Sequence, residues 1–283
     1  MSKKWITPNM EKFAVFIFSW GRPGFDNTYQ LLRKCGYTGR IVLLCDDLDK
    51  AHSGYIEKYG NEDVFVFSKY RYSRKCDPMN NFGKLESTLY VENAMFDIAS
   101  ELGVDYFCSM CDDYYYFGHR GINGAKRTSM LDKVFEIFVE YLINTPIKCL
   151  AFSQGGDNMN GYSPDRLCKR KVMNSFICKT DRRFEFYGSM NDDVNMYVQN
   201  GIRGDIFLTY LGFQLDQKDS QSEDGGLTNL YKKYGTYVKS FYTVMLSPSS
   251  VSIRLMGETA TRLHRQIRYQ NTVPCIIREN LKK

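Results

Sequence analysis

Val104–Phe117, VDYFCSMCDDYYYF, is the stretch that decides the fold. Val104, Tyr106, Phe107, Cys108 and Met110 make an apolar run of strand length directly after Gly103. The run stops on two adjacent carboxylates, Asp112 and Asp113, followed by three tyrosines and Phe117. Aspartate is a poor strand former, and charge at the end of a buried strand is costly unless paired or bound to a cation. In open α/β sheets, ligands sit outside the carboxyl ends of the strands. Hard oxygen ligands at that place suit Mg2+ or Mn2+ bridging to substrate phosphates. The plain alternative is a turn carrying two solvated aspartates, and the rest of the chain has to decide.

Upstream, Glu86–Leu102 predicts a helix. Leu89, Asn93, Phe96, Ile98, Ala99 and Leu102 fall on a mainly apolar face, and Gly103 ends it. Further back, Phe13–Phe18 (FAVFIF) and Ile41–Cys45 (IVLLC) are continuous apolar runs of the kind found in central strands. The first breaks at the turn-forming Ser19-Trp20-Gly21-Arg22-Pro23-Gly24, and the second ends in Asp46, Asp47 and Asp49. Short helices are predicted at Asn27–Lys34 and Ala51–Tyr59, with a third strand at Val64–Phe67.

Downstream, the pattern predicts a helix over Met130–Leu142, strands at Cys149–Ser153, Val172–Cys178 and Ile206–Leu211, and a helix over Asp192–Gln199 capped by Asn191 or Ser189. Asp216–Gly226 reads as a polar loop, and the basic tail from Arg254 as ending in a short strand near Ile277. Strands alternating with helices at this spacing imply an α/β fold: a mostly parallel, Rossmann-type sheet with helices on both faces and loop insertions. No internal repeat and no clear linker divides residues 1–283, so a single domain is expected.

Composition narrows the function classes. The 283 residues include 38 Lys and Arg against 32 Asp and Glu, a net charge of +6 that is compatible with a polyanionic partner without requiring one. Nine cysteines lack disulfide spacing and read as reduced thiols. Cys108 and Cys111 form a C-x-x-C with no second pair to complete a zinc site. No run reaches the length of a membrane span, and the polar start MSKKWITPNMEK is unlike a signal peptide; a cytoplasmic location with no membrane contact is expected.

Three acid-tipped segments recur: Asp46-Asp47, Asp112-Asp113, and Asn191-Asp192-Asp193 entering a helix. In one doubly wound domain the first two share a sheet edge, opposite Ser19-Trp20-Gly21-Arg22, and that arrangement suits a nucleotide. Neither a Walker loop nor a G-x-G-x-x-G fingerprint is present, so phosphates would be held by a metal and by Arg or Lys.

The succession of an apolar strand and SWGRP loop, a strand tipped with Asp46-Asp47, a helix, and DYFCSMCDDYYYF resembles the GT-A class of nucleotide-sugar glycosyltransferases. More narrowly, FYGSMNDDVNMYVQNG followed by a polar loop with Gly225-Gly226 is similar to the TET-associated, phage-type DNA glycosyltransferases, over about Phe13 to Ile277.

The resemblance implies a donor-binding half at about 13–117, after an extension at 1–12, and an acceptor-side half at about 118–283. It implies a nucleotide-sugar donor, UDP-linked as first choice, contacted by Ser19, Trp20, Gly21, Arg22, Asp46, Asp47, Lys84, Asp112, Gly225, Gly226 and Arg265. It implies Mn2+ or Mg2+ on Asp113 and Asp112, with Cys111 standing where a first acid often stands in the family motif. His264 in RLHRQIR is the candidate remote ligand; the alternative is a surface position on a basic helix. The base falls on Asp192 or Asp193, with Asp193 favoured, and the alternative for Asp192 is a purely electrostatic role at the helix N-terminus.

The implied acceptor is a hydroxymethylated pyrimidine in DNA, bordered by the basic loops Lys75–Lys84 and Asp165–Lys171. The host cytoplasm is the expected setting if the gene is phage-borne, and no obligate protein partner is implied. Alternatives are a protein, glycan or small-molecule acceptor, a nucleotidyltransferase, and a non-enzymatic nucleic-acid-binding α/β protein.

Overall fold

The computed structural model describes residues 5–79, 85–121, 123–154, 175–217, 228–256 and 262–272. Its centre is a nine-stranded mixed sheet in the order β3-β2-β1-β4-β8-β7-β9-β5-β6. The strands are β1 (Phe13–Phe18), β2 (Arg40–Asp46), β3 (Val64–Phe67), β4 (Tyr106–Cys111), β5 (Tyr114–Gly121), β6 (Gly124–Arg127), β7 (Cys149–Ser153), β8 (Phe176–Lys179) and β9 (Phe207–Gln217). The block β3-β2-β1-β4 is parallel, β8 runs antiparallel between β4 and β7, and β9 is parallel to β7 but antiparallel to β5.

Every residue of β1 is buried, because successive side chains feed two different cores. Ala14, Phe16 and Phe18 join Val42, Leu44 and Phe107 on one face. That face is covered by α4 (Leu89–Glu101) and α6 (Asp192–Ile202) through Met95, Phe96, Val194 and Val198. Phe13, Val15 and Ile17 join Ile41, Leu43, Cys108 and Met110 on the other. There α1 (Asn27–Lys34) and α5 (Leu131–Asn144) supply Leu31, Leu32, Leu131 and Phe135. Helices on both faces of the sheet are what the sequence predicted.

Several elements differ from the sequence reading. The tyrosine run after Asp113, to which the sequence assigned no element, is a strand: only the two aspartates turn, and β5 begins at Tyr114, whose ring is fully buried. Asp216 and Gln217, expected in a polar loop, instead end β9, and the rest of that stretch lies outside the described residues. Asn191 precedes α6 in the left-handed region (φ 55°) and makes no side-chain cap; its amide instead donates to the Lys239 carbonyl (2.7 Å). RLHRQI is not a helix but β11 (Arg262–Ile267), paired antiparallel with β10 (Val251–Met256) in a separate ribbon. Helices α2 (His52–Tyr59) and α3 (Lys69–Ser73) flank β3, and α7 (Thr228–Leu246), broken at Gly235 (φ 71°), packs the ribbon against the body.

Candidate active site

A cleft of about 250 Å³ opens at the carboxyl ends of β1, β2, β3 and β4. Its wall is formed by Ser19, Trp20 and Arg22 after β1, Asp46 at the end of β2, Lys69 after β3, Thr88 and Val91 of α4, and Cys111, Asp112 and Asp113. Two of the three acid-tipped segments therefore meet in one cavity at the sheet edge, where the sequence placed them.

The Asp112-Asp113 turn is held from α1. Thr28 donates its N–H to the Asp112 carbonyl (3.1 Å) and its hydroxyl to the Cys111 carbonyl (2.7 Å), and accepts from the Tyr114 N–H (3.0 Å). One buried threonine thus fixes both ends of the turn. The Asp112 carboxylate, 3% exposed as a residue, is gripped by the Arg22 fork: Nη2 to Oδ1 at 2.6 Å and Nε to Oδ2 at 2.9 Å. Ser19 donates to Oδ2 (2.6 Å), accepts from the Tyr55 hydroxyl (2.9 Å), and that hydroxyl accepts the Arg22 N–H (3.0 Å). The chain of donors makes the SWGR loop and the acid turn one rigid unit. Gly21 completes it at φ 72°, giving its N–H to buried Asp49 (2.7 Å). Trp20 is left 51% exposed at the cleft mouth.

Asp46 is also paired. Lys69 Nζ lies 2.9 Å from Oδ2, with both side chains at least nine-tenths buried, and the Leu48 N–H reaches Oδ1 (3.1 Å). Asp47, exposed, accepts the Lys69 N–H (2.9 Å) at the start of α3. The predicted Asp46-Asp47 pair therefore splits into a buried ion-pair partner and a helix-start acceptor.

The third acid segment joins the site from behind the cleft wall. Thr88, which lines the cleft, donates to Asp192 Oδ2, and the Asp193 N–H donates to Oδ1 (3.0 Å). Asp192 is buried and hydrogen-bonded to Glu92 of α4, and Asp193 beside it is half-buried. Burial, then the charge of Asp193, pushes the Asp192 carboxyl up to about 6. Burial, then Asp192 and Asp193, pushes Glu92 well above the ordinary carboxylate range. The Cys111 thiol lies between the groups: burial raises it strongly, and the charges of Asp113, Asp112, Glu92 and Asp192 add to that.

The sequence reading missed Glu92, Thr88, Lys69, Tyr55 and Thr28. Glu92 had a visible signal. It stands three residues after Leu89 and four before Phe96, a charge on the apolar stripe of a helix, with Thr88 one turn away on the same face.

His264 and Arg265 lie on β11, where the His264 Nδ1–H donates to the Arg265 carbonyl (2.8 Å). Neither lines the cleft. Lys84, Gly225, Gly226, and the loop Asp165–Lys171 lie outside the described residues, as do the last residues of Lys75–Lys84. Among the described residues no three His, Cys, Asp or Glu side chains converge as a metal cluster, and the cysteines form no disulfide. No helix among the described residues is long and apolar enough to cross a membrane.

An α/β sheet with a cleft at the carboxyl edge of its parallel strands, walled by paired acids, defines a nucleotide-binding type of enzyme scaffold. A family model described as TET-Associated Glycosyltransferase matches residues 13–226, and the chain belongs to that family: it is a glycosyltransferase. Among solved structures it is similar to the mannosyltransferase PcManGT from Pyrobaculum calidifontis in complex with GDP-Man and Mn2+, at TM-score 0.50 and 10% identity over 86% of this chain and 68% of that one. It is also similar to glucosyl-3-phosphoglycerate synthase from Mycobacterium tuberculosis in complex with Mn2+, UDP and phosphoglyceric acid, at TM-score 0.44 and 10% identity, covering 95% and 89%. At such identity the likeness is one of fold. No curated protein matches the sequence.

Proposed function

We propose that this glycosyltransferase moves a sugar from a nucleotide-sugar, UDP-linked as first choice, to a hydroxymethylated pyrimidine base in DNA, with Mn2+ or Mg2+ assisting departure of the diphosphate. The observation that carries the reading is the cleft itself. It gathers Asp112, Asp113 and Arg22 at the carboxyl edge of the parallel strands and has Asp192 and Asp193 behind its Thr88 wall.

The donor set fits a divalent ion that arrives with its substrate. Magnesium and manganese accept one or two carboxylates and complete their shell with phosphate oxygens and water, so no three-residue protein cage is required. Asp113 is the ligand of choice, because both oxygens of Asp112 are already bound by Arg22 and Ser19. Such an ion supplies Lewis-acid stabilisation of the leaving diphosphate.

The protein's own groups do the remaining work. Arg22 holds Asp112, and through it the turn that presents Asp113, in one place. Trp20 offers an open indole face for stacking a ring of the substrate. Asp193, at the first turn of α6, takes the proton from the acceptor hydroxyl as that oxygen attacks the sugar carbon. A DNA acceptor is supported by the TET association of the family and by the net positive charge.

The test is a panel of UDP- and GDP-sugars with unmodified, hydroxymethylcytosine and hydroxymethyluracil DNA, with and without Mn2+, read by mass analysis of digested nucleosides. A hexose or pentose increment on one hydroxymethylated nucleoside, lost on chelation, is expected. Turnover on a protein, glycan or small molecule with no mass shift on any DNA would end the DNA reading.

A further inference from the structure

Glu92 is 3% exposed, sits on the α4 face turned toward α6, and has one carboxyl oxygen, Oε2, without a hydrogen-bond partner. Its carboxyl group shares a side-chain hydrogen bond with that of Asp192, itself 8% exposed. Two carboxylates cannot hydrogen-bond to each other, since neither has a hydrogen to give; one of the two must be a carboxylic acid. The partners settle which. Asp192 accepts on both oxygens, from the Thr88 hydroxyl and from the Asp193 N–H, and it stands at a helix N-terminus that favours negative charge. Glu92 has neither advantage. Among the described residues, the titratable groups facing it are Asp192 and Asp193 from α6 and Cys111 from β4, and no cation is among them. Glu92 is the acid, and Asp192 the acceptor.

We infer that Glu92 is a positioning residue for the transfer reaction: its carboxyl group donates a hydrogen bond to Asp192 and so fixes the first turn of α6, and with it Asp193. The inference deepens the assignment of Asp193 as base and rests on that assignment for its effect on turnover. Its structural half stands independently. Thr88 and Glu92 are one helical turn apart on α4, so Asp192 is clamped by two donors from a single rigid element, and the backbone N–H of Asp193 closes the clamp from the other side. A carboxyl group does this where an amide or hydroxyl would also serve, which makes the conservative variant informative.

The experiment compares Glu92→Gln and Glu92→Ala in two readouts. The first is hydrogen exchange of the α6 amides in the substrate-free enzyme. Glu92→Ala is expected to lower protection of Asp193 to Asn195 while α5 is unchanged, and Glu92→Gln, whose amide still donates to Asp192, is expected to restore it. The second is kcat with the donor and acceptor pair found active in the panel above. Glu92→Ala is expected to fall on the order of 10²-fold with KM for the donor held, the cost of a misplaced catalytic group, and Glu92→Gln to recover most of it. Glu92→Gln failing in exchange as badly as Glu92→Ala, or Glu92→Ala leaving α6 protection intact, would overturn the clamp. An active Asp193→Asn enzyme would instead remove the base assignment, with the exchange data still deciding whether Glu92 orders α6.

Discussion

The two halves of the acid-rich site solve the same electrostatic problem in opposite ways. At the sheet edge, two buried carboxylates each have a cation: Asp46 has Lys69 and Asp112 has Arg22. Behind the wall, between α4 and α6, Glu92 and Asp192 are buried just as deeply and share a hydrogen bond, with no cation among the described residues facing them. A paired carboxylate stays charged and rigid; a carboxyl pair without a cation keeps a proton. The difference divides the labour. On the proposed function, the charged edge would hold phosphates and a metal in fixed geometry, and the proton-holding pocket would support the group that exchanges a proton.

The largest expected effect breaks the comparison on the proton-handling side. Asp193→Asn keeps the shape and removes the basic oxygen, so kcat is expected to fall by roughly 10²–10⁴-fold with donor binding retained, the usual contribution of a general base. Steady-state kinetics beside donor titration checks it; a loss of donor affinity alone would move Asp193 to the charged edge. Second in size is Lys69→Met. It strands Asp46, whose side chain is 7% exposed, in a dry setting. The cost is about 3 kcal/mol by chemical denaturation, most of it recovered by adding Asp46→Asn. If the double variant is no better than the single one, the pair is not what makes the edge rigid.

Arg22→Ala follows, with a smaller stability cost of about 2 kcal/mol, because its side chain is 33% exposed and water partly screens the stranded Asp112. Its activity loss is expected to exceed its stability loss, since the SWGR loop and the acid turn are joined through this fork. Arg22→Lys is expected to restore charge but not function, for an ammonium cannot reproduce the two parallel bonds. Equal activity of Arg22→Lys and wild type would reduce the residue to a counter-charge.

The charged edge was legible in the sequence and the proton pocket was not, for a physical reason. Strands β1, β2 and β4 announce themselves as apolar runs, and the acids that end them fall at the sheet edge by topology alone. The parallel block and its helices on both faces followed from the same pattern. Long-range partners leave no such trace. Nothing around Asp112 in the chain points to Arg22, ninety residues earlier, or around Asp46 to Lys69. Glu92 was hidden inside a helix correctly predicted, because a lone acid on an apolar stripe becomes meaningful only when α6, a hundred residues later, supplies Asp192 opposite it. β10 and β11 were missed because arginines and a histidine at close spacing look helical, while the pairing that makes them strands is between segments distant in the pattern. The mixed order of the sheet, with β8 inserted antiparallel between β4 and β7, was likewise beyond a reading of local periodicity.

The smallest effect sharpens the comparison most, because its sign distinguishes the two regimes. Glu92 in the folded protein binds its proton more tightly than in the unfolded chain, and so does Asp192, whose folded value is about 6. Such groups favour the folded state fully below the unfolded carboxylate pKa, near 4, and that contribution is lost as pH rises through the folded values. Wild-type stability should therefore decline from pH 4.5 upward past 6. Glu92→Gln carries no proton to lose, so its melting temperature relative to wild type should rise steadily between pH 4.5 and 8. A pair held by cations would give the reverse slope, with wild-type stability lost on acidification. Melting curves at five or six pH values in one ionic strength separate the two, and a Glu92→Gln difference that is flat, or that grows toward low pH, would place Glu92 among the charged carboxylates of the sheet edge.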